Sequence, residues 1–454
     1  MGQKTRPLAY LVLGTVYFAA VVSILTVHSS FQQRSVLKDY LGWSLAVALV
    51  ALATSWLFQV CDIDPDSTSP MTVIYTSLKS AIATFLLISG ASALFTRTLP
   101  RQVTVSFAAL QPVLALASVW PNVLLAKRQP VERILVVGTP ADANLLQEEI
   151  ERSVDSCLEI VGFVNCFGSA QSSEESVLGN YPELSQERFA DVALELNPDI
   201  VVVDSHCLSN FEILSQVSRL HSKGVKVRTF VEFFEQKFEK VPLNAINEAW
   251  FLFDTGELHR ATYFRIKQVM DLVGGFVGTL FFLGALPFIA LAIKIDDGGP
   301  IFYKQERLGK DGQPFRLIKF RTMRTDAEAN GPEWATPGDR RVTRVGRFLR
   351  RARLDELPQF INVLRGEMAI VGPRAERPEF VKLLEEKIPF YSRRHLIKPG
   401  LTGWAQIKYH YGSSVEHAIE KLQYEFYYMK YQSVFRDISI ILQTLRVVLA
   451  LSGQ

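Results

Sequence analysis

The chain has 454 residues, 48% of them hydrophobic and 21% charged, with a mean hydropathy of +0.14 and a formal charge of +3. This balance excludes a disordered, collagen-like or disulfide-stapled chain, because apolar residues are plentiful, glycine and proline follow no period and only four cysteines occur. The small net charge hides a division. Residues 1–260 carry 19 basic and 26 acidic side chains, whereas residues 261–454 carry 30 and 20.

Four N-terminal windows, residues 7–33, 41–61, 80–96 and 102–126, contain no Asp, Glu, Lys or Arg. About 20 apolar residues cross a bilayer as a helix, so the windows predict a bundle of four transmembrane helices over residues 1–128. The first window is too long for the apolar part of a cleavable signal. Cys61, Cys157, Cys166 and Cys207 are isolated and form no CxxC pair, so they read as reduced thiols of a cytosol-facing protein.

After Arg128 the pattern alternates. Apolar runs at 134–137, 160–164, 200–203 and 225–230 read as strands, with helical stretches at 144–151 and 212–221 between them. Such alternation predicts a parallel sheet with crossover helices, a Rossmann-like α/β domain over residues 131–240. The first strand ends in Gly138-Thr139-Pro140-Ala141-Asp142, which departs from GxGxxG where a pyrophosphate must approach the backbone. A structural or oligomerisation role, including a homodimer surface, is the preferred reading of this domain over nucleotide binding. Residues 241–261 read as a linker.

A fifth uncharged window, residues 272–293, is interrupted by Gly274-Gly275 and Pro287. Pro287 removes a helical hydrogen bond and can bend the helix within the membrane. The expectation is a re-entrant membrane helix over 267–294 that leaves on the face it entered. The remainder of residues 262–454 reads as an α+β catalytic domain.

In GPIFYKQERLGKDGQPFRLIKFRTM, Gly309, Asp311 and Gly312 supply a turn between two aromatic-rich strands, and period-two alternation puts Lys319 and Arg321 on one face. Seven arginines follow between Arg340 and Arg353, a density suited to phosphates or an anionic membrane surface. No nucleic-acid-binding signature accompanies them. Asp355 and Glu356 then stand just before Pro358 and an apolar helix, so both acids fall at a helix N-terminus, where a carboxylate stays ionised. A carboxylate among arginines suits phosphoryl transfer, with the acid as nucleophile and cations neutralising the transferring group. The segment 434–449 fits an amphipathic interfacial helix, and Tyr424, Phe426, Tyr427, Tyr428 and Tyr431 read as packing residues. His395 reads as a structural surface histidine, and His410 and His417 lack metal-ligand partners at useful spacing.

The strand pair just quoted, the segment RVTRVGRFLRRARLDELPQFINVLRGEMAIVGPR and the later KPGLTGWAQI together resemble the monotopic phosphoglycosyl transferases, bacterial polyprenyl-phosphate sugar-phosphate transferases. The resemblance covers about residues 262–450, and the full layout is similar to large members that start exopolysaccharide or O-antigen synthesis. It implies that Asp355 attacks the sugar-linked phosphate of a UDP-sugar, expelling UMP, and that polyprenyl phosphate then collects the phosphosugar. It implies a supporting role for Glu356, Mg2+ near Asp355, and substrate binding by Lys319, Arg321, Arg374 and Arg377. Two positions depart from the pattern: Leu286 stands where smaller members have Ser, and Ala375 where Pro is usual.

UDP-sugars are cytoplasmic, so the resemblance places the catalytic domain on the cytoplasmic face of a multi-pass protein of the bacterial inner membrane. An NDP-sugar epimerase or reductase would need a glycine fingerprint and a Tyr with Lys at helical spacing in residues 131–240. Tyr181 has no Lys four residues on. A non-catalytic membrane scaffold would not need the acid pair. No motif resolves which sugar is carried.

Overall fold

The computed structural model describes residues 131–152, 157–166, 181–186, 188–254, 261–327, 339–409 and 414–449, with helical residues inside 13–23, 36–57, 77–88 and 105–117. Each of the four N-terminal windows therefore contributes helical residues, including the helix Val36–Leu57, while the ends of the windows lie outside the described residues. Side chains from all four windows meet in one buried polar cluster. The Tyr17 and Ser55 hydroxyls are 3.0 Å apart, those of Thr54 and Thr84 2.7 Å, and Gln111 donates to Ser80 at 2.8 Å. Thr54 and Thr84 also donate to the carbonyls of Ala51 and Ser80 in their own helices, and hydrogen bonds between helices of this kind hold them in register.

The α/β region is a five-stranded, all-parallel sheet in the order β3-β2-β1-β4-β5. Its strands are β1 (Glu132–Gly138), β2 (Leu158–Asn165), β3 (Glu183–Leu184), β4 (Ile200–Val203) and β5 (Lys226–Thr229). β1 and β4 lie inside the sheet, and from Ile134 onward β1, like all of β4, is apolar on both faces, with Ile134, Leu135, Val136, Val137, Val201 and Val202 fully buried, as expected of strands covered on both sides by helices. One face packs Phe163, Phe230, Phe233 and Phe234, the other Phe189, Ile213 and Leu220. Each fully buried apolar side chain contributes about 1.5–3 kcal/mol.

Cys166 and Cys207 are joined as a disulfide, which corrects the reading of four reduced thiols. Their separation of 41 residues conceals the pairing. β2 and β4 flank β1, so the residues just beyond their carboxyl ends come together with Cα atoms 5.6 Å apart, inside the range a disulfide bridges. Cys157 is a free thiol, and Cys61 lies outside the described residues.

Residues 241–253 pack inward: Val241, Leu243, Ile246, Trp250 and Phe251 join one core with Tyr391, Trp404, Leu422, Phe426 and Tyr428 of the C-terminal region. The aromatic residues of helix Val415–Lys430 form the centre of that core. Charge completes the junction with the sheet. Lys240, 2% exposed, sits between Glu149 of the sheet region at 2.7 Å and Glu420 of the C-terminal region, and Lys430 pairs with the fully buried Glu235 at 2.8 Å.

Helix Ala261–Asp297 has 37 residues and includes Pro287 without dividing into two helices. Among the described residues it alone is long and apolar enough to cross a membrane. At 1.5 Å per residue it runs for about 55 Å, against about 30 Å of bilayer hydrocarbon. Both of its ends are fastened to the same globular region. Near the start, Lys267 and Tyr263 bond to the buried Asp437 at 2.8 and 3.0 Å; at the end, Asp296 accepts the Val345 N–H at 3.0 Å and Asp297 pairs with Arg321. Between them the helix lies close on the domain. A Cβ on Gly274 would stand 2.2 Å from Ile370, and one on Gly278 would stand 2.3 Å from the Phe360 ring. The opposite face exposes Leu272, Phe276, Leu280, Phe281, Phe288, Leu291 and Ile295.

Candidate active site

The hairpin of β6 (Phe302–Leu308) and β7 (Pro314–Phe320) is antiparallel with Tyr303 opposite Lys319. Its turn uses Asp311 (φ 55°) and Gly312 (φ 71°) in the left-handed region, the conformation the sequence anticipates there. The 3-10 helix Leu354–Gln359 packs against β7 and runs directly into helix Phe360–Leu364, the element that Gly278 admits against the membrane helix. Arg353, also left-handed at φ 56°, makes the sharp turn that starts it. Asp355 and Glu356 thus stand in the first turn of a short helix clamped between a hairpin and the long apolar helix Ala261–Asp297.

Asp355 is buried (8% exposed). Burial, and then the adjacent Glu356 carboxylate, push its pKa up to about 6, against the pull of Lys319, Arg350 and Arg353. Glu356 goes the other way. Burial opposes its ionisation, but Arg374, which donates to it at 3.0 Å, and Arg353 at 3.5 Å hold its carboxyl below the usual range. Two neighbouring acids are thereby separated in character: Glu356 is a fixed anion tied to arginines, and Asp355 is the more basic carboxylate.

The cations around them are held from behind. Arg350 donates its Nε–H to the buried Thr322 hydroxyl at 2.9 Å, and burial lowers its pKa while Asp355 opposes that shift. Lys319 lies over the Tyr303 ring at 5.6 Å; burial, and then Arg307, push its pKa down to about 8. Arg374 belongs to the Gly-Pro-Arg segment after β8 (Ala369–Val371), which runs against β9 (Gly400–Thr402) so closely that a Cβ on Gly400 would stand 2.1 Å from the Gly372 nitrogen. The two motifs GPR and KPGLTGW are thus one backbone crossing. Arg394, buried in a fork with Glu425 at 2.6 and 2.8 Å, donates to the Arg374 carbonyl at 2.9 Å.

The structure brings Lys319, Asp355, Glu356 and Arg374 together. Arg321 takes a different place, 6% exposed and ion-paired with Asp297 at the end of helix Ala261–Asp297. Arg377 lies over the Phe380 ring at 5.5 Å, with Arg307 among its electrostatic neighbours. Sequence reasoning missed one strand face. Tyr303, Gln305 and Arg307 alternate along β6, with Gln305 donating to the Tyr303 hydroxyl at 3.0 Å and accepting from Arg307, which also reaches the Ala375 carbonyl at 3.1 Å. The same period-two rule that singled out Lys319 would have found it. A separate cleft of about 620 Å3 opens between the hairpin turn and helix Pro378–Glu385. It is lined by His395, pushed down to about 4 by burial and Arg394, but by neither acid of the pair.

Residues 262–451 match the family described as bacterial sugar transferase. A UDP-glucose:undecaprenyl-phosphate glucose-1-phosphate transferase of Caulobacter vibrioides is 40% identical over 42% of this chain and 72% of its own length. An exopolysaccharide production protein of Rhizobium leguminosarum bv. phaseoli is 37% identical over 39% of this chain and 92% of its own. The chain belongs to this family. Its members include the monotopic phosphoglycosyl transferases that the sequence resembles, and the shared region contains every residue of the acid pair and its cationic surround. A UDP-N-acetylgalactosamine-undecaprenyl-phosphate N-acetylgalactosaminephosphotransferase of Aeromonas hydrophila is likewise 40% identical, over 41% of this chain. There the match spans 44% of the relative, so less than half of that protein's length is represented.

Proposed function

We propose that this chain transfers a sugar 1-phosphate from a UDP-sugar to polyprenyl phosphate at the inner face of the bacterial cytoplasmic membrane, as the first membrane step of exopolysaccharide or O-antigen synthesis. The observation that carries the reading is Asp355: a buried carboxylate beside Lys319, Arg350 and Arg353, with its companion acid neutralised by Arg374. An Asp355 oxygen attacks the sugar-bearing phosphorus of the diphosphate. The bond from that phosphorus to the bridging oxygen breaks, UMP leaves with the electron pair, and an aspartyl-phosphosugar remains. A phosphate oxygen of the polyprenyl acceptor then attacks the same phosphorus, the acyl-phosphate bond breaks, and the carboxylate is regenerated. Lys319, Arg350 and Arg374 act electrostatically in both steps, stabilising charge on the transferring group.

Among the described residues no group of three or more His, Cys, Asp or Glu side chains converges as a metal cage. Mg2+ nevertheless fits this donor set, because it is commonly held by one or two carboxylates together with substrate phosphates, and Asp355 would supply one, Glu356 being committed to Arg353 and Arg374. When bound, the ion neutralises diphosphate charge. Attachment of both ends of helix Ala261–Asp297 to one globular region supports a re-entrant helix, with the exposed apolar face in lipid and the acid pair at the cytoplasmic surface. A homodimer through the sheet region belongs to the same reading.

Purified protein incubated with a panel of UDP-sugars and polyprenyl phosphate should release UMP with one preferred donor. With donor alone, the peptide containing Asp355 should gain the mass of a phosphosugar. UMP release at an unchanged rate by Asp355→Asn would overturn the assignment.

A further inference from the structure

Leu252 and Phe253 close the helix Glu248–Phe253, and they are 73% and 81% exposed although Trp250 and Phe251 on its other side are core residues. Two adjacent large apolar side chains at that exposure stand apart from the scattered surface leucines of an ordinary protein. Their position is fixed by charge. Asp254, the next residue, pairs with Lys430 at 2.9 Å, which sets the end of this helix against the junction between helices Val415–Lys430 and Val434–Leu449. The second of these begins with Phe435, 86% exposed, and continues the stripe through Ile438, Leu442 and Leu445. The inner side of that helix, at Asp437, is bonded to the start of the membrane helix.

Chain distance gives the same placement. Phe253 precedes Ala261, the first residue of the membrane helix, by eight positions, so it lies within about 28 Å of that start however the segment runs. We infer that Leu252 and Phe253 dip into the lipid headgroup and acyl boundary as a second membrane contact, separate from the membrane helix and outside the family-matched region 262–451. The occupant is the bilayer surface, because the patch continues the apolar stripe of helix Val434–Leu449 and the lipid-facing side of helix Ala261–Asp297. Two adjacent large apolar side chains at the end of a short helix suit shallow insertion at the headgroup and acyl boundary; Lys430 beside them is committed to Glu235 and Asp254. The contact fixes the tilt of the core that holds the acid pair, since Trp250 and Phe251 are rooted in that core. This inference rests on the membrane reading of helix Ala261–Asp297.

The full chain, in nanodiscs containing phosphatidylcholine brominated along its acyl chains, tests it. A fluorescent unnatural amino acid replaces Phe253, Leu280 or Phe211 in separate preparations. Leu280 reports on the membrane helix, and Phe211, equally exposed but on the sheet region, reports on the aqueous side. The expected result is strong quenching at 280, quenching at 253 of at least roughly half that extent for a side chain at interfacial depth, and none at 211. Quenching at 280 with none at 253 overturns the anchor alone and leaves the membrane helix standing. Absence of quenching at 280 overturns the membrane reading itself. Equal quenching at 253 and 211 also overturns the anchor, since it reports general lipid contact.

Discussion

The sheet region and the C-terminal region both present a helix N-terminus to the space where an anion would bind, and they treat that space in opposite ways. At the end of β1, the position a dinucleotide pyrophosphate would take is filled by the protein's own Asp142, whose carboxylate accepts the Thr139 N–H at 2.9 Å and its hydroxyl at 2.8 Å. A Cβ on Gly138 would stand 2.9 Å from that carboxylate. In the C-terminal region the acid is instead surrounded by cations in excess, with Lys319, Arg350, Arg353 and Arg374 facing two carboxylates. A Rossmann-like sheet is not by itself evidence of nucleotide chemistry, and in this one the N–H that would meet an anion at the end of β1 is bonded to Asp142. What distinguishes the C-terminal region is a surplus of positive charge around its two carboxylates.

The largest effect that would break this comparison comes from paired substitutions. Asp355→Asn should lower UMP release at least about a thousandfold, as loss of a covalent nucleophile does, whereas Asp142→Asn should leave the rate within about a factor of two. Equal losses in both variants would erase the distinction. Next in size, Arg350→Ala should cost about a hundredfold in kcat/KM, the scale of removing one preorganised donor to transition-state charge, with partial recovery in Arg350→Lys. Measured across pH, the rate should form a bell. Because the pKa of Asp355 is raised to about 6, the carboxylate is lost as pH falls through 6, and the rate drops about tenfold per unit below it. Because that of Lys319 is lowered to about 8, its charge is lost as pH rises through 8; Lys319→Arg should move the alkaline limb upward.

A smaller effect tests how the site is supported. Gly278→Val must displace Phe360, costing about 1–3 kcal/mol of stability by overpacking and reducing transfer several-fold without altering the pH profile. The smallest effect on transfer is expected from replacing Cys166 and Cys207 with serine. Closing a loop of 41 residues contributes about 4 kcal/mol by the chain-entropy relation, so thermal unfolding of the sheet region should come earlier while UMP release is unchanged.

Much of this fold is readable from local pattern. β4 appears where the run Ile200–Val203 places it, and β1 and β2 extend the expected runs by one or two residues, because doubly covered parallel strands are continuous apolar segments. The run at 225–230 is shorter as a strand. Thr229 accepts the Glu232 N–H and caps a helix that begins at Phe230, a start signal present in the sequence as Thr-x-x-Glu. β3, two residues long, has no periodicity to read. In the site, Asp355 and Lys319 are legible because turn and strand chemistry place them. Arg350 was hidden among seven arginines, since nothing local says which of them finds Thr322 and turns inward. The Arg321–Asp297 pair and the Cys166–Cys207 bond depend on segments distant in sequence and become visible only once packed.

The buried Lys240 has a consequence for how this protein can be divided. Relatives that this chain covers almost end to end show that the C-terminal region can exist as a separate gene product. In this chain the cut is not clean. Removing residues 131–240 would take Lys240 from Glu420 and Glu235 from Lys430, leaving Lys430 with Asp254 as its acidic partner. Excision should therefore be accompanied by replacement of Glu420, which loses Lys240. Two units that look separable along the chain have become thermodynamic co-dependents, and a lesion in either is felt in both.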